Sequence, residues 1–335
     1  MADWIFLTRL YKEAPVDSYW LTKQFSKNVD YSPIPKVKIV SETSSLTVAS
    51  LGKVYDPPKP VKIGVNVSEM LVDPAQIFEY DNITEEDIFA RNYNPAVLAI
   101  KGKQDVVSSK DYLYAKKTKE LKGRVLRRIE LMFAQTISEG KITYNDGERA
   151  FEADFGVTAA DYTLSSSTKV VSDLRDLVKE MKSMGFSPAF VLITPNVERA
   201  LWDNTQFTKA IDKDSFNVAQ MRYDTLKEPF VDFIATAKGL PPIYSYSAEY
   251  TEGGSSKSYI EGDKIILVDP KGIGLAYGAI VNTNLDKNMN PIQIDVAVWE
   301  EEVNHGTQLA MFVLSRPLTY IINANAVKIL NVTIS

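Results

Sequence analysis

Apolar residues recur with helical spacing along residues 111–139. They share one face of a predicted α-helix: Leu121, Val125, Ile129, Met132, Phe133 and Ile137. At ~1.5 Å per residue this helix is roughly 40 Å long. Gly123 interrupts the pattern and offers a bend, at a cost of about 1 kcal/mol relative to alanine. Gly140 follows the last apolar residues, as a glycine just beyond a helix C-terminus does.

Alternation with a period of two follows this helix at once. Residues 145–147, Asn-Asp-Gly, contain the Asp-Gly pair typical of a type I′ hairpin turn. Beyond it, Phe151, Ala153 and Phe155 alternate with acidic residues, so one face of the returning strand is predicted to be buried. The sequence therefore predicts a long helix followed by a β-hairpin, an elongated unit rather than part of a compact enzyme core.

The chain before this helix consists of two segments that differ in composition. Residues 1–29 form an aromatic-rich, amphipathic arm, whose apolar area is expected to pack either on the chain's own core or on a neighbouring molecule. Residues 31–80 contain six prolines between short β-branched runs, which favours edge strands and a projecting ribbon. An isolated two-stranded ribbon is marginal in water, so this one is expected to lie on a partner surface. A flexible linker is the alternative.

The pattern of residues 165–300 predicts a compact α/β domain. Residues 170–184 have the apolar spacing of a helix, and the runs FVLIT and DKIILVDP are predicted to be buried strands. The stretch EGGSSK, residues 252–257, is predicted to be a mobile loop. At least two further strands are expected after residue 308, and the hairpin at residues 141–155 offers them an edge for pairing.

Composition narrows the classes of function. Of 335 residues, 45% are hydrophobic and 24% are charged, an ordinary globular composition. The chain has no cysteine, which excludes disulfides and thiolate metal sites, and a single histidine, which excludes most histidine-dependent mechanisms. The formal net charge of −5 argues against attraction of nucleic acid to the whole surface. No apolar run approaches the ~20 residues of a membrane span, so no membrane partner is predicted, and the protein is expected to be made inside the cell and not secreted.

Signatures of enzymes are weak. Residues 271–278 contain glycines without GxGxxG order, which favours a turn over a phosphate-binding loop. Glu300, Glu301 and Glu302 lie at a predicted strand end and are interpreted as a solvated cluster rather than a glycosidase pair. His305 is a candidate general base, but a structural or exposed histidine is the favoured interpretation. The sequence therefore predicts no catalytic residue, no cofactor and no metal site.

A basic face is predicted on the long helix. Seven basic residues and one acidic residue lie between positions 116 and 128. Such a face suits nucleic acid, anionic lipid or an acidic protein partner, and a simple solvated face is the alternative. Arg124, Arg127 and Arg128 are the candidate subunit-contact residues, because arginine forms bidentate pairs with carboxylates. Trp4 and Trp20 of the arm are the apolar candidates for such contacts.

Four segments, taken in order, resemble one known family. They are RRIELMFAQTISEGKITYNDGERAFEADFG (127–156), FVLITPNVERALWDN (190–204), GLPPIYSYSAEYTEGGSSKSYIEGDKIILVDPKGIGLAYGAI (239–280) and MFVLSRPLTYIINANAVKILNV (311–332). Together they are similar to the major capsid proteins of lambda-type tailed phages, the E-type branch with the Johnson fold. The resemblance covers about residues 35–335 and leaves residues 1–30 without a matching motif.

The resemblance implies an α+β fold, the tailed-phage major capsid (Johnson) fold. Its parts are an N-terminal arm at residues 1–44, an extended β loop at 45–82, a peripheral domain with a long spine helix at 83–160 and 301–335, and an axial α/β domain at 161–300. The implied function is structural and not enzymatic. Hexamers and pentamers of the protein form an icosahedral shell that encloses packaged double-stranded DNA and contacts it non-specifically.

The same resemblance implies further partners and a location. Portal, scaffold and decoration proteins are expected to bind the shell, and the protein is expected in the virion after synthesis in the host cytoplasm. Charge pairs between the basic spine face and acidic residues of neighbours are expected to help set the ring geometry. Reversal of Arg127 and Arg128 to glutamate should then block assembly of a folded monomer.

Three other functions stay open at this point. An encapsulin-type nanocompartment shell shares the implied fold, and a carboxylate-dependent hydrolase represents a different class. A tail or adhesion protein is the third. Particle size separates them, because a megadalton shell excludes a small enzyme, and tubes or fibres indicate a tail protein.

Overall fold

The computed structural model describes residues 4–16, 19–44, 65–83, 109–145, 150–211, 230–237, 239–303 and 308–335. Three predicted features lie outside these residues, namely the Asp-Gly turn at 146–147, residues 45–64 of the extended loop, and His305. The helices are α1 (Trp4–Glu13), α2 (Trp20–Phe25), α3 (Ser109–Glu139), α4 (Val170–Ser183), α5 (Pro195–Asp203) and α6 (Thr205–Ile211). The strands are β1 (Val29–Tyr31), β2 (Val37–Ser44), β3 (Val65–Val72), β4 (Ile77–Ile83), β5 (Lys141–Asn145), β6 (Ala150–Asp154), β7 (Ala160–Leu164), β8 (Phe190–Ile193), β9 (Val231–Ala235), β10 (Ile243–Tyr246), β11 (Glu249–Glu252), β12 (Ser255–Ser258), β13 (Lys264–Val268), β14 (Ile273–Tyr277), β15 (Val296–Val303), β16 (Gln308–Ser315), β17 (Pro317–Ile321) and β18 (Val327–Ile334).

The predicted long helix is α3, which has 31 residues and is unbroken at Gly123. At 1.5 Å per residue it is about 46 Å long. Its apolar stripe, which includes Val125 and Phe133, is buried in the chain's own core. Gly140 ends the helix with a φ of 71°, a left-handed conformation that favours glycine. The hairpin of β5 and β6 follows directly, and Ile142 and Ala153 on its buried face pack in a cluster that also contains Met132 of α3.

The N-terminal arm docks on its own chain, which is one of the two packing alternatives that its composition allowed. Helix α1 lies on β15, and α2 lies on α3. The arm contributes buried apolar residues to the main core: Leu7, Tyr11, Trp20, Leu21 and Phe25. The arm is therefore part of the folded subunit in this conformation.

A six-stranded mixed sheet forms the centre of the C-terminal half, in the order β7-β18-β13-β8-β10-β9. Alternate residues of β8 enter different cores: Phe190 and Leu192 pack in the cluster that contains α3 and the arm, and Val191 and Ile193 pack against α4, α5 and α6. Because helices cover both faces, β8 is buried at all four positions. The predicted buried strands FVLIT and DKIILVDP are thus confirmed as β8 and β13.

The C-terminal strands do not pair with the β5–β6 hairpin as the sequence predicted. In the described residues β16 pairs with β15 and β4, β17 pairs with β14, and β18 pairs with β13 and β7. All five residues of β17 are buried. A strand that is apolar on both faces needs a covered position, which the edge of a two-stranded hairpin does not supply.

Two other predictions about local structure are wrong. Residues 252–257 are not a mobile loop but part of a tight hairpin, β11–β12, whose turn residues Gly253 and Gly254 have φ of 59° and 82°. Positive φ at both positions is what a type I′ turn requires. Residues 273–277 are not a turn but the buried strand β14, in the centre of a three-stranded sheet of order β1-β14-β17.

The strand pairing also differs from two of the predicted domain boundaries. β2 falls in the segment assigned to the arm but pairs along its full length with β3, so it belongs to the ribbon. β18 falls in the segment assigned to the peripheral domain but lies inside the six-stranded sheet of the predicted axial segment. One face of the ribbon, including Ile39 and Val72, packs near Met132 of the same chain. The other domain boundaries stay predictions.

Glycine in β14 permits a close approach of strand and ring. A Cβ at Gly274 would lie 2.5 Å from Cζ of Tyr320, whose hydroxyl donates to Asp30 at 2.5 Å and so holds the ring in place. Gly274→Ala is therefore expected to lower the free energy of unfolding by about 1–3 kcal/mol, measured by urea denaturation. In a Tyr320→Leu background the same alanine should cost much less, because the opposing ring atoms are gone. An equal cost in both backgrounds would contradict this explanation.

Candidate subunit-contact site

A groove of about 510 Å³ lies between the spine helix α3, strand β4 and the β11–β12 hairpin. Arg124, Arg127 and Arg128 of α3 line one wall of the groove. Glu79 of β4 and Glu252 of β11 line the other two walls. A smaller cavity of about 200 Å³ continues it toward β5, and both share residues of β4. We call this feature the spine groove. It brings the three predicted arginines together on one surface.

Arg124 and Arg128 have partners within their own chain. Nε of Arg124 lies 2.5 Å from Oε2 of Glu79, and Nη2 of Arg124 donates a hydrogen bond to Oε1 at 3.2 Å. Nη2 of Arg128 lies 3.6 Å from Oε1 of Glu252. These side chains are partly exposed, so each pair contributes less than about 1 kcal/mol to stability. Both pairs nevertheless occupy guanidinium groups that the sequence assigned to a neighbouring subunit.

Arg127 differs from its two neighbours. Its side chain is exposed, and among the residues that the structure describes it forms no ion pair. Its guanidinium lies over Gly123, with Nη1 3.4 Å from the position that a Cβ would occupy there. The helix does not break at this glycine, and the Cβ of an alanine there would make ordinary van der Waals contact with the guanidinium.

Two lysines of the basic face, like Arg124 and Arg128, have partners within their own chain. Nζ of Lys117 lies 3.0 Å from Oδ1 of Asp81 on β4. Nζ of Lys122 donates to the carbonyl oxygens of Lys12 and Ala14 at 2.8 and 2.9 Å, at the C-terminal end of α1. A cation is favourable there because the helix dipole is negative at that end. Burial lowers the pKa of Lys122. Much of the basic face therefore holds the subunit together.

Glu130 is a structural residue that the sequence analysis missed. It lies on α3 with no exposed surface, and its two carboxylate oxygens accept four hydrogen bonds. The donors are the backbone N–H groups of Leu21 and Thr22, the Thr22 hydroxyl and the Tyr246 hydroxyl, at 2.8–2.9 Å. Two of them are free N–H groups of the first turn of α2, so Glu130 caps that helix from another element.

Burial also raises the pKa values of Glu130 and of its partner Tyr246. Burial raises the pKa of Glu130, and the hydrogen bonds from Tyr246, Leu21 and Thr22 oppose that rise. The pKa of Tyr246 is raised by burial first and by the Glu130 charge second. Through its hydrogen bonds, the Glu130 carboxylate connects the spine helix to the arm and to the six-stranded sheet.

Two exposed aromatic residues on β4 were also missed. Phe78 and Tyr80 are 51% and 59% exposed, on the face of β4 opposite to the acidic residues that pair with α3. Both rings contact Phe312 of β16, which in turn stacks on Trp299 of β15 at 5.5 Å. The alternation in IFEYDNI signals a two-faced strand, but the charged face lies inward here and the aromatic face outward.

The described residues show few features of a catalytic or metal site. In the described ranges no group of three or more acidic, histidine or cysteine side chains is placed to hold a metal ion. Glu300 is buried and accepts a hydrogen bond from Tyr114, so the predicted solvated cluster consists only of Glu301 and Glu302. The sequence did not indicate that Glu300 is buried, because Glu300 is the last residue of the buried part of β15 and the exposed Glu301 follows it directly. Among the described helices, none is both long and apolar enough to cross a membrane.

Comparison with known proteins decides the family. Residues 6–332 match the family model described as phage major capsid protein E. The chain belongs to this family. A major capsid protein is a structural component of the virion that associates with copies of itself, and it is not an enzyme. No curated protein matches the sequence.

Solved structures share the fold of this capsid protein. A capsid protein of a prophage in E. coli CFT073 has a TM-score of 0.68 and 14% identity, covering 99% of both chains. A phage-related protein from Bordetella bronchiseptica RB50 has a TM-score of 0.54 and 10% identity, covering 98% of this chain and 96% of the other. The mature capsid of bacteriophage PhiM1 has a TM-score of 0.50 and 11% identity, covering 96% and 90%. At such identities the likeness concerns the fold, and it confirms the predicted Johnson fold.

The tryptophan candidates lie mostly inside the capsid protein subunit. Trp20 is 6% exposed and packs on Phe190 and Tyr244, with ring centroids 4.9 and 5.3 Å apart. Trp4 is partly buried against the cluster that contains Trp299. The predicted role of Trp20 as a subunit contact therefore conflicts with this conformation, because its own chain encloses the ring. Of the five candidates, Arg127 is the one whose charged group is exposed and forms no ion pair with the part of the chain that the structure describes.

Proposed function

We propose that the chain is the subunit of an icosahedral head shell of a tailed phage, built from hexamers and pentamers around packaged double-stranded DNA. The family match over residues 6–332 carries this proposal. The fold supports it, since a helix of 31 residues with an attached hairpin gives the subunit a rigid bar. Closed symmetric rings repeat each contact many times, so weak interfaces between such bars suffice for a stable shell.

The proposal includes a division of labour within the subunit. The segment at 45–82 would extend toward a neighbouring subunit, the segments around the spine helix and the C-terminal strands would form the periphery, and the segment at 161–300 would form the axial contacts of the rings. Portal, scaffold and decoration proteins would bind the shell, and the protein would be made in the host cytoplasm. With a net charge of −5, contact with DNA would be local and non-specific.

Expression of the chain alone tests shell formation. Size-exclusion chromatography and negative-stain electron microscopy are expected to show closed particles of megadalton mass. Particles of a single subunit's size, or tubes, would contradict the proposal. Tubes would favour a tail protein.

The content of particles separates a phage head from an encapsulin-type compartment. Particles purified from a lysate of the parent phage are expected to contain nuclease-protected double-stranded DNA and a portal ring at one vertex. Particles that hold a protein cargo and no DNA would instead support the nanocompartment. Protected DNA must disappear when the particles are opened before nuclease treatment, which controls for DNA on the outer surface.

A further inference from the structure

The ribbon of β2 and β3 is joined to the body of the subunit by two short segments. Residues 32–36 lead into β2, and residues 73–76 lead from β3 to β4. We call these two segments the root of the ribbon. In the described part of the chain β2 and β3 pair only with each other. The direction in which the ribbon leaves the body is therefore set by its root and by the packing of one ribbon face.

The first segment of the root is held by main-chain hydrogen bonds. The N–H of Ser32 donates to the carbonyl oxygen of Tyr277 at 2.9 Å, and the N–H of Ala279 donates to the carbonyl oxygen of Ile34 at 3.0 Å. These bonds continue the parallel pairing of β1 with β14 beyond the ends of both strands. This segment is thus an extension of a core sheet.

A glycine lets both segments of the root approach the end of β14. A Cβ at Gly278 would lie 2.4 Å from the carbonyl oxygen of Pro35 in the first segment and 3.5 Å from Cγ of Pro74 in the second. The N–H of Gly278 donates to the carbonyl oxygen of Arg316 at 2.9 Å. Arg316 is thereby placed beside the root.

The second segment of the root is held by a side chain. Nη2 of Arg316 donates to Oδ1 of Asp73 at 2.8 Å. Arg316 is the single residue between β16 and the fully buried β17, so the core fixes its backbone. The guanidinium belongs to the body of the subunit, and the carboxylate belongs to the segment that carries the ribbon.

The energy of this ion pair points to a role other than stability. The Arg316 side chain is 17% exposed and that of Asp73 is 61% exposed, so the pair contributes less than about 1 kcal/mol to folding. Its effect on direction is different in kind. When a surface is in the binding orientation for only a fraction of the time, its apparent affinity falls by that fraction. Symmetric assembly repeats this loss at every subunit.

We propose that Arg316 is a positioning residue for assembly, and that by pairing with Asp73 it holds the ribbon in the direction in which the ribbon meets a neighbouring subunit. The proposal rests on the proposed shell function, in which the segment at 45–82 extends toward a neighbour. It assigns the direction of that segment to a contact within one chain.

Spin labels on the unassembled subunit measure the direction of the ribbon. The chain has no cysteine, so Val40→Cys on the ribbon and Lys119→Cys on α3, both at exposed positions, supply two unique labelling sites. Electron paramagnetic resonance is expected to give one narrow distribution of distances between the labels. Addition of Asp73→Asn should broaden that distribution, because the amide does not carry the charge that pairs with Arg316.

The same substitution tests the link to assembly in the unlabelled chain. Asp73→Asn is expected to raise the subunit concentration at which shells form by about threefold, while the urea midpoint of the unassembled subunit stays unchanged. Asp73→Glu keeps the carboxylate and should restore the wild-type concentration. The matched control is Glu69→Gln, which removes another exposed ribbon carboxylate, paired with Lys38 at 2.8 Å, and should change neither the distance distribution nor the assembly.

Three outcomes would overturn the proposal. They are a distribution in Asp73→Asn as narrow as in the parent, a broad distribution with an unchanged concentration for shell formation, and equal effects of Glu69→Gln. Failure of the wild-type chain to form any shell would instead contradict the proposed function. The label distances in the unassembled subunit would still show whether Asp73 fixes the ribbon.

Discussion

Glu130→Gln is expected to lower the free energy of unfolding of the unassembled subunit by about 3 kcal/mol. The carboxylate accepts all four of its hydrogen bonds in a site with no exposed surface. A glutamine of the same shape keeps one acceptor oxygen and places an NH₂ group against donors. The backbone N–H groups of Leu21 and Thr22 cannot accept, so at least one buried donor loses its partner.

The control for this prediction lies on the same helix. Glu120 is exposed on α3, and Glu120→Gln is expected to change stability by less than about 0.5 kcal/mol. Urea denaturation followed by circular dichroism measures both variants under conditions that prevent assembly. Similar effects of the two substitutions would show that the loss is one of helix charge, and the capping of α2 by Glu130 would then be wrong as the explanation.

Phe133→Ala is expected to lower the free energy of unfolding by about 3–5 kcal/mol. Phe133 is fully buried one turn after Glu130, and its ring centroid lies 5.3 Å from that of Phe25 in α2. Truncation removes buried apolar contacts and leaves a cavity between the spine helix and the arm. Phe25 then loses its contact with this ring as well, so limited proteolysis should cut the arm faster.

An exposed phenylalanine provides the comparison for Phe133. Phe6 of α1 is 52% exposed, and Phe6→Ala should leave the urea midpoint of the unassembled subunit nearly unchanged. If Phe133→Ala destabilises the subunit without faster cleavage of the arm, the cavity is filled from elsewhere and the coupling between arm and spine is refuted.

The features that the sequence predicted well are local ones. The spine helix and the hairpin depend on apolar spacing and on a glycine at a helix end, and both signals lie within the segment that they describe. The buried strand β8 was recognised for the same reason, since four consecutive apolar residues followed by Thr194-Pro195 carry their own pattern. The order of such segments was also enough to indicate the family.

The features that were missed depend on contacts distant in sequence. Glu130 and Thr22 are separated by 108 positions, and no periodicity connects them. Phe78 and Tyr80 follow the usual alternation, but the acidic residues that alternate with them, Glu79 and Asp81, face α3 because Arg124 and Lys117 neutralise them there. Alternation shows that a strand has two faces, and it does not show which face is inside.

The candidate site illustrates the same limit. The basic run predicted one face of the helix, and the three arginines do line one groove. Which guanidinium is already paired depends on where β4 and the β11–β12 hairpin lie. The glycine at position 123 was interpreted from its helix propensity alone. The helix nevertheless continues through it, because burial of the apolar stripe of α3 outweighs the propensity of one residue.

The position of β18 has a consequence for the order of events during synthesis. This strand contributes residues 327–334 and lies between β7 and β13, and in the described ranges β7 has no other strand neighbour. The sheet therefore cannot close while these residues are still inside the ribosome, although β7 was completed at residue 164. Until then the edges of β7 and β13 are open to wrong pairing. We expect nascent chains to depend on chaperones at this stage, because the open strand edges are exposed until residues 327–334 have left the ribosome.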